Sequence, residues 1–297
     1  MTVTLSLPAP SHGGPIRRRG EGIADPKSTL TPRSAAAGPP RAVLALLEAP
    51  RALAEYASFA AITPLLSAGW AGHGRPVLVL PGLLANDHST RPLRRLLNST
   101  GYAAYGWRSG TNIGPTRRII RGMDAVLDEI TDLHGQPASV IGWSLGGMFG
   151  YDLVSRHPGA VDRLITLGSP LYIADPRQSR GSRFYNKYAA AHLAEYSIDR
   201  WRATGVASVP VTSIFSKTDG VVRWHTCLHP PGPLRENIAV YSSHCGLGCH
   251  PAAAYAILDR LAASTNPWPN FVPPAWLAIH FPAQPDRSQE SRATEIA

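Results

Sequence analysis

Cysteine is scarce: Cys227, Cys245 and Cys249 are the three in 297 residues. They are too few, and odd in number, for a disulfide framework, so a reducing cytoplasm is the expected setting, with room for a single bridge involving Cys227. Also lacking is any run of about 18 or more apolar residues, the length a membrane-spanning helix needs. The helical stretch from Arg41 to Trp70 is interrupted by Pro50, Arg51, Glu55 and Pro64. No transmembrane segment is expected. The opening MTVTLSLPAPSHGGPIRRRGEG places its arginines after a weak apolar run, the reverse of a signal peptide, so export is not expected either. No internal repeat is present.

Charge, by contrast, is in excess, at a formal +9. Arg17, Arg18, Arg19, Lys27, Arg33 and Arg41 are opposed there only by Glu21 and Asp25, in a segment rich in Pro, Gly, Ser and Ala. Residues 1–40 read as a disordered, solvated basic tail. That distribution argues against a specific nucleic-acid partner and leaves room only for weak contact with an anionic membrane surface.

The length suits one α/β domain of about 200–250 residues with trimmings. Over residues 41–70, Val43, Leu44, Leu46, Leu47, Leu53, Tyr56, Ala57 and Ala60 recur at three- and four-residue steps. This spacing predicts two helices divided near Pro50 and packed on the core through those residues. Pro76–Leu80 is a continuous apolar run ended by Pro81-Gly82, the pattern of a buried parallel strand. Beyond it, strands at 102–107, 139–141, 164–167, 209–215 and 238–241 alternate with helices within 116–133, from Leu145 and over 252–262. Such alternation predicts a mainly parallel sheet with helices on both faces and every post-strand loop on one edge. The irregular segment of about 169–208, with Tyr172, Phe184, Tyr185, Tyr188 and Tyr196, is too long for a simple connection and reads as a small cap over the site. The domain is expected over 41–265, with 266–297 a Pro- and aromatic-rich extension and a polar tail.

Within this frame, Gly142-Trp143-Ser144-Leu145-Gly146 follows a strand and opens a helix, the context of a nucleophile elbow. Glycines permit the strained turn that lifts the Ser144 hydroxyl into a cleft. The Leu145 amide and the helix N-terminus then face a developing oxyanion. A serine needs a base to take its proton and a carboxylate to orient that base. Asp219 stands a few residues past a strand in SKTDGVV, and His244 follows the next strand in YSSHCGLGCH. His250, beside Pro251 at a helix start, competes for the base role but reads as a surface residue. Leu83, in the loop LPGLLAND, is the expected second oxyanion donor, with Leu84 the next choice. Leu84, Met148 and Asn112 are candidate substrate contacts.

These separated elements resemble the α/β-hydrolase superfamily of serine esterases and lipases over roughly Pro76 to Leu261. LVLPGLLAND, VIGWSLGGM, LITLGSP, SKTDGVV and SHCGLG stand in that superfamily's order. GWSLGG with PGLL is most similar to bacterial lipase-like hydrolases related to triacylglycerol lipases and inositol deacylases. The departure is Pro81-Gly82 where many lipases carry His-Gly. The resemblance implies an α/β-hydrolase fold and a carboxylic-ester hydrolase working through an acyl-enzyme on a small-molecule or lipid ester, with no metal or organic cofactor. Acyl transfer, thioester hydrolysis or amide hydrolysis on the same residues is the alternative, and a non-catalytic binding protein on this fold the remaining one. His225, Cys227, His229, His244, Cys245, Cys249 and His250 cluster in sequence but match no strong zinc spacing.

Overall fold

The computed structural model describes residues 38–173, 175–196 and 209–283. Six strands form one sheet: β1 (Pro76–Leu80), β2 (Ala103–Gly106), β3 (Ala138–Trp143), β4 (Val161–Leu167), β5 (Val211–Phe215) and β6 (Arg235–Ala239). Their order is β2-β1-β3-β4-β5-β6, and every neighbouring pair is parallel. Parallel neighbours need crossovers. These are supplied by helices α3 (Asp87–Ser99), α4 (Arg117–His134) and α5 (Leu145–Arg156), by a long excursion between β4 and β5, which contains the short helix α6 (Ser182–Lys187), and by the segment 216–234 between β5 and β6. Helix α7 (Pro251–Ala262) follows β6, while α1 (Ala42–Leu46) and α2 (Glu48–Ser67) precede the sheet.

The period of two along each strand divides the core between the two faces of the sheet. Val77, Val79, Ile141, Ile165 and Ile238 pack with α2, α3, α7 and the C-terminal Phe271, Leu277 and Phe281. Leu78, Leu80, Val140, Leu164 and Val211 pack with Ile119, Met123 and Leu127 of α4 and Phe149 and Leu153 of α5. Local chemistry sets the helix ends. Asn86 accepts from the His88 amide at the start of α3, Thr116 from Ile119 at the start of α4, and Gly135 closes α4 at φ 61°.

Several sequence expectations are corrected. Helix α3 stands where no helix is expected from the sequence, although Asn86-Asp87 followed by Leu93, Leu96 and Leu97 carries its cap and its buried stripe. The break between α1 and α2 falls at Leu47, not near Pro50, because proline is tolerated in a first helical turn where its missing N–H has no partner to lose. Leu53 and Tyr56 of α2 face solvent, whereas Glu48, Phe59 and Leu66 are buried. The helix is turned about its axis relative to the predicted packing. Residues 1–37 of the expected tail, Ala174 and 197–208 of the expected cap and 284–297 of the expected polar tail lie outside the described residues. Gly38 and Pro40 are buried, with their carbonyls held by Arg223 and Arg180. Among the described residues no helix is long and apolar enough to cross a membrane.

Candidate active site

The chain leaves β1 toward β2 in one direction and β3 toward β4 in the other, so the crevice between the C-terminal ends of β1 and β3 is the switch point of the sheet. Both expected oxyanion segments emerge there. Ser144, directly after β3, has φ 52° and ψ −119°, a conformation costing a side-chain-bearing residue about 1–3 kcal/mol. The turn is pinned by the Ser144 amide donating to the Leu167 carbonyl at 2.8 Å. Two glycines permit it: a Cβ on Gly142 would overlap the Gly147 backbone, and one on Gly146 would overlap the Leu80 carbonyl. A Cβ on Gly82 would lie 3.3 Å from the Ser144 Cβ, which shows how closely the β1 loop approaches the serine.

Asp219 and His244 meet beside this turn. His244 Nδ1 stands 2.6 Å from Asp219 Oδ2, and Asp219 Oδ1 accepts the amides of Val221 and Val222 at 2.7 and 2.6 Å. Both side chains are buried. Burial alone would lower the pKa of His244, but the charge and hydrogen bond of Asp219, with the Glu48 charge behind them, hold it above the usual histidine value. Trp143 ties the two halves together by donating from Nε1 to the His244 carbonyl at 3.1 Å. The Leu83 and Leu145 amides flank the same turn, and among the described residues neither donates to another protein group. The Leu84 amide, by contrast, is bound to the Asn112 carbonyl at 2.7 Å, so of the two expected donors Leu83 is the one left open to a ligand.

Lipase B of Aspergillus fumigatus superposes with a TM-score of 0.54 at 14% identity, over 77% of this chain and 62% of that one. The chain has the α/β-hydrolase fold. No protein-family model matches it. Among curated proteins, a pimeloyl-[acyl-carrier protein] methyl ester esterase of Aromatoleum aromaticum is 44% identical over 67 residues, which is 22% of this chain and 24% of that protein. The biotin biosynthesis bifunctional protein BioHC of Teredinibacter turnerae is 34% identical over 68 residues, 23% of this chain and 12% of that protein. The chain thus spans a quarter or less of the length of these curated relatives. Ser144, Asp219 and His244 stand in this chain in the order that the fold's nucleophile, acid and base take.

Ser144 and His244 open on one cavity of about 470 Å3. Its floor includes Leu83, Leu84, Leu145 and Met148, and the β4–β5 excursion walls it with Ile173, Phe184 and Tyr185. Burial lifts the Tyr185 phenol above its usual pKa, in keeping with an apolar wall. Tyr172, at the start of the expected cap, is not part of the lining; it packs toward the core on the α4–α5 side of the sheet. Asn112 does not line the cavity either. Fully buried, it donates from Nδ2 to the Pro81 carbonyl at 2.8 Å and accepts the Gly114 amide at 3.1 Å, so it braces the β1 loop from behind instead of touching substrate.

His250 is buried, not a surface residue. Its Nδ1 accepts the Ala252 amide at 3.1 Å as the N-cap of α7, and its ring packs on His280 with centroids 5.3 Å apart. Burial, the neighbouring His280 and Arg51 pull it down to a pKa of about 4. All three cysteines are free thiols, so Cys227 forms no bridge. Of the histidines that clustered in sequence, His229 is buried against Tyr151 and His244 is paired with Asp219. Among the described residues no group of three or more His, Cys, Asp or Glu could hold a metal ion. Two positions around the site went unread in the sequence: the Trp143 indole, hidden inside the GWSLG pattern, and the carboxylate of Glu48, which a helix-face reading assigns to solvent.

Proposed function

We propose that this protein is a serine carboxylic-ester hydrolase that works through an acyl-enzyme on esters with an apolar acyl group. The observation that carries this reading is the pairing of Asp219 with His244 at 2.6 Å beside a serine in the positive-φ turn, all on one apolar cavity. Ser144 Oγ attacks the ester carbonyl carbon while His244 Nε2 takes its proton. Asp219, bonded to Nδ1–H, fixes the tautomer and stabilises the imidazolium. The Leu83 and Leu145 amides receive the charge that develops on the carbonyl oxygen. Collapse of the tetrahedral intermediate breaks the bond to the alcohol, which leaves with the proton from His244. Water, deprotonated by the same imidazole, then attacks the acyl-Ser144 carbonyl and releases the acid. No step calls for a metal or an organic cofactor.

The local likeness to a protein named as a methyl ester esterase supports ester cleavage over the other acyl chemistries. The residues facing the serine support the apolar acyl side, since each buried methylene adds about 0.8 kcal/mol, roughly fourfold in affinity. Mass spectrometry after an organophosphonate probe tests the reading: one adduct on Ser144 is expected, together with hydrolysis of nitrophenyl esters that collapses in Ser144→Ala. An unlabelled Ser144, or Ser144→Ala with wild-type turnover, overturns it.

A further inference from the structure

Helix α2 turns charged groups toward the protein. Glu48, Arg51 and Glu55 follow at three- and four-residue steps and share the face that Phe59 and Leu66 continue into the core. They meet the two loops that carry Asp219 and His244. Glu48 Oε1 accepts the amides of Gly220 at 2.7 Å and His244 at 3.1 Å, and Oε2 accepts that of Cys245 at 3.0 Å. Arg51 donates to the Thr218 carbonyl at 2.8 Å and its hydroxyl at 2.9 Å. Glu55 accepts the Ser243 amide at 2.7 Å and the hydroxyls of Ser242 and Ser243 at 3.0 and 2.7 Å. Packing is equally close in front of the helix, where a Cβ on Gly220 would overlap the Leu44 carbonyl of α1.

A carboxylate that is 6% exposed is costly unless its oxygens are satisfied, and three N–H donors satisfy this one. The dependence is mutual. Without Glu48, buried amides from two separate loops would lose their acceptor at once. We propose that Glu48 is a positioning residue for the reaction: one carboxylate fixes the Asp219 loop and the His244 loop in a common register, and Arg51 and Glu55 extend that grip. The proposal rests on the ester-hydrolase reading for its kinetic consequence, while its structural half stands on the hydrogen bonds.

Charge adds a signature that mere stiffening lacks. Asp219 of the acid loop faces His244, Glu48 of α2 accepts its amide, Arg51 and Glu55 of α2 bind the flanking Thr218 and Ser243, and Cys245 lies beside it in its own loop; Arg180 of the cap binds the Gly220 carbonyl at 3.1 Å. Of these, Asp219 and Glu48 favour the imidazolium against the pull of burial. Removing the Glu48 charge therefore lowers the pKa of His244.

The experiment compares wild type, Glu48→Gln, Glu48→Asp and Glu55→Gln in nitrophenyl-ester kinetics, with phosphonate titration to count competent sites and NMR titration of the His244 Cε1–H resonance. For Glu48→Gln the expected result is a kcat lower on the order of 10²-fold per titrated site, KM within twofold, and a His244 titration moved to lower pH. Glu48→Asp should keep the wild-type His244 titration, because the charge remains. Wild-type kcat in Glu48→Gln, or a loss with no movement of the His244 titration, overturns the proposal. If Glu48→Gln does not fold, Glu55→Gln carries the test through a kcat loss at unchanged KM, and unchanged kcat there overturns it. A wild-type protein that the phosphonate does not label sinks the hydrolase reading instead, and the NMR shift still reports on Glu48.

Discussion

At the scale of single residues, the steric demands of the elbow were written in the sequence as glycines. Gly142 and Gly146 are required because a Cβ at either would strike backbone, and backbone cannot be moved aside. The meeting of Asp219 with His244 was legible for a related reason, since each follows a strand and so reaches the same edge. Asn112 and Glu48 were not legible. Whether a polar residue faces substrate or braces a neighbouring loop depends on which side of that loop it enters, and no spacing records this. The same pair of histidines that competed in the sequence now supplies a prediction. The proposed base must be neutral to accept the serine proton, and His244 is held above the ordinary value of about 6.5 by Asp219 and Glu48, despite its burial. The acid limb of kcat/KM, which reports the free enzyme, should accordingly have its midpoint above that value. His244→Ala should abolish turnover, whereas His250→Ala should keep most of the turnover and lose about 1 kcal/mol of stability with its helix cap. A pH–rate profile centred below 6.5, or the reverse pattern of activities, would reassign the base.

At the scale of elements, strands were easier to read than helices. Continuous apolar runs such as Pro76–Leu80 are buried on both faces and leave no choice of side. Helix α2 offered two stripes, one apolar and one charged, and the protein buries the N-terminal part of the charged one because two loops there supply N–H donors. The length and aromatics of the β4–β5 excursion suggest a cap, and its described part lines the cavity with Phe184 and Tyr185. Its contribution to substrate choice can be measured with nitrophenyl esters of two to twelve carbons. As each methylene is buried, kcat/KM should climb by roughly fourfold until the pocket is filled. Phe184→Ala, which removes a half-exposed wall at the mouth, should flatten the climb for the longer chains while leaving acetyl ester turnover near wild type. A monotonic fall from acetyl onward would mean a small, tight pocket, contrary to the apolar acyl reading.

At the scale of the whole molecule, buried histidines couple stability to pH with opposite signs. His250 and His229 are held neutral, at pKa values of about 4 and about 3, principally by burial. Below about 6.5 the unfolded chain takes up protons at these positions that the folded chain refuses, so unfolding gains and stability falls as the pH drops toward those lower values. His244 works the other way. Its folded pKa is raised, so its contribution is complete below about 6.5 and is lost as the pH rises through the folded value. His250 can be isolated by His250→Asn, because asparagine keeps the N-cap but cannot take a proton. Between pH 7.5 and 5, a single histidine shifted this far accounts for a loss on the order of 2 kcal/mol. Urea unfolding at the two pH values should show the wild type losing about that much more than His250→Asn. Equal losses in the two proteins would mean that His250 is protonated in the folded state, and the N-cap it forms through Nδ1 would have to be redrawn.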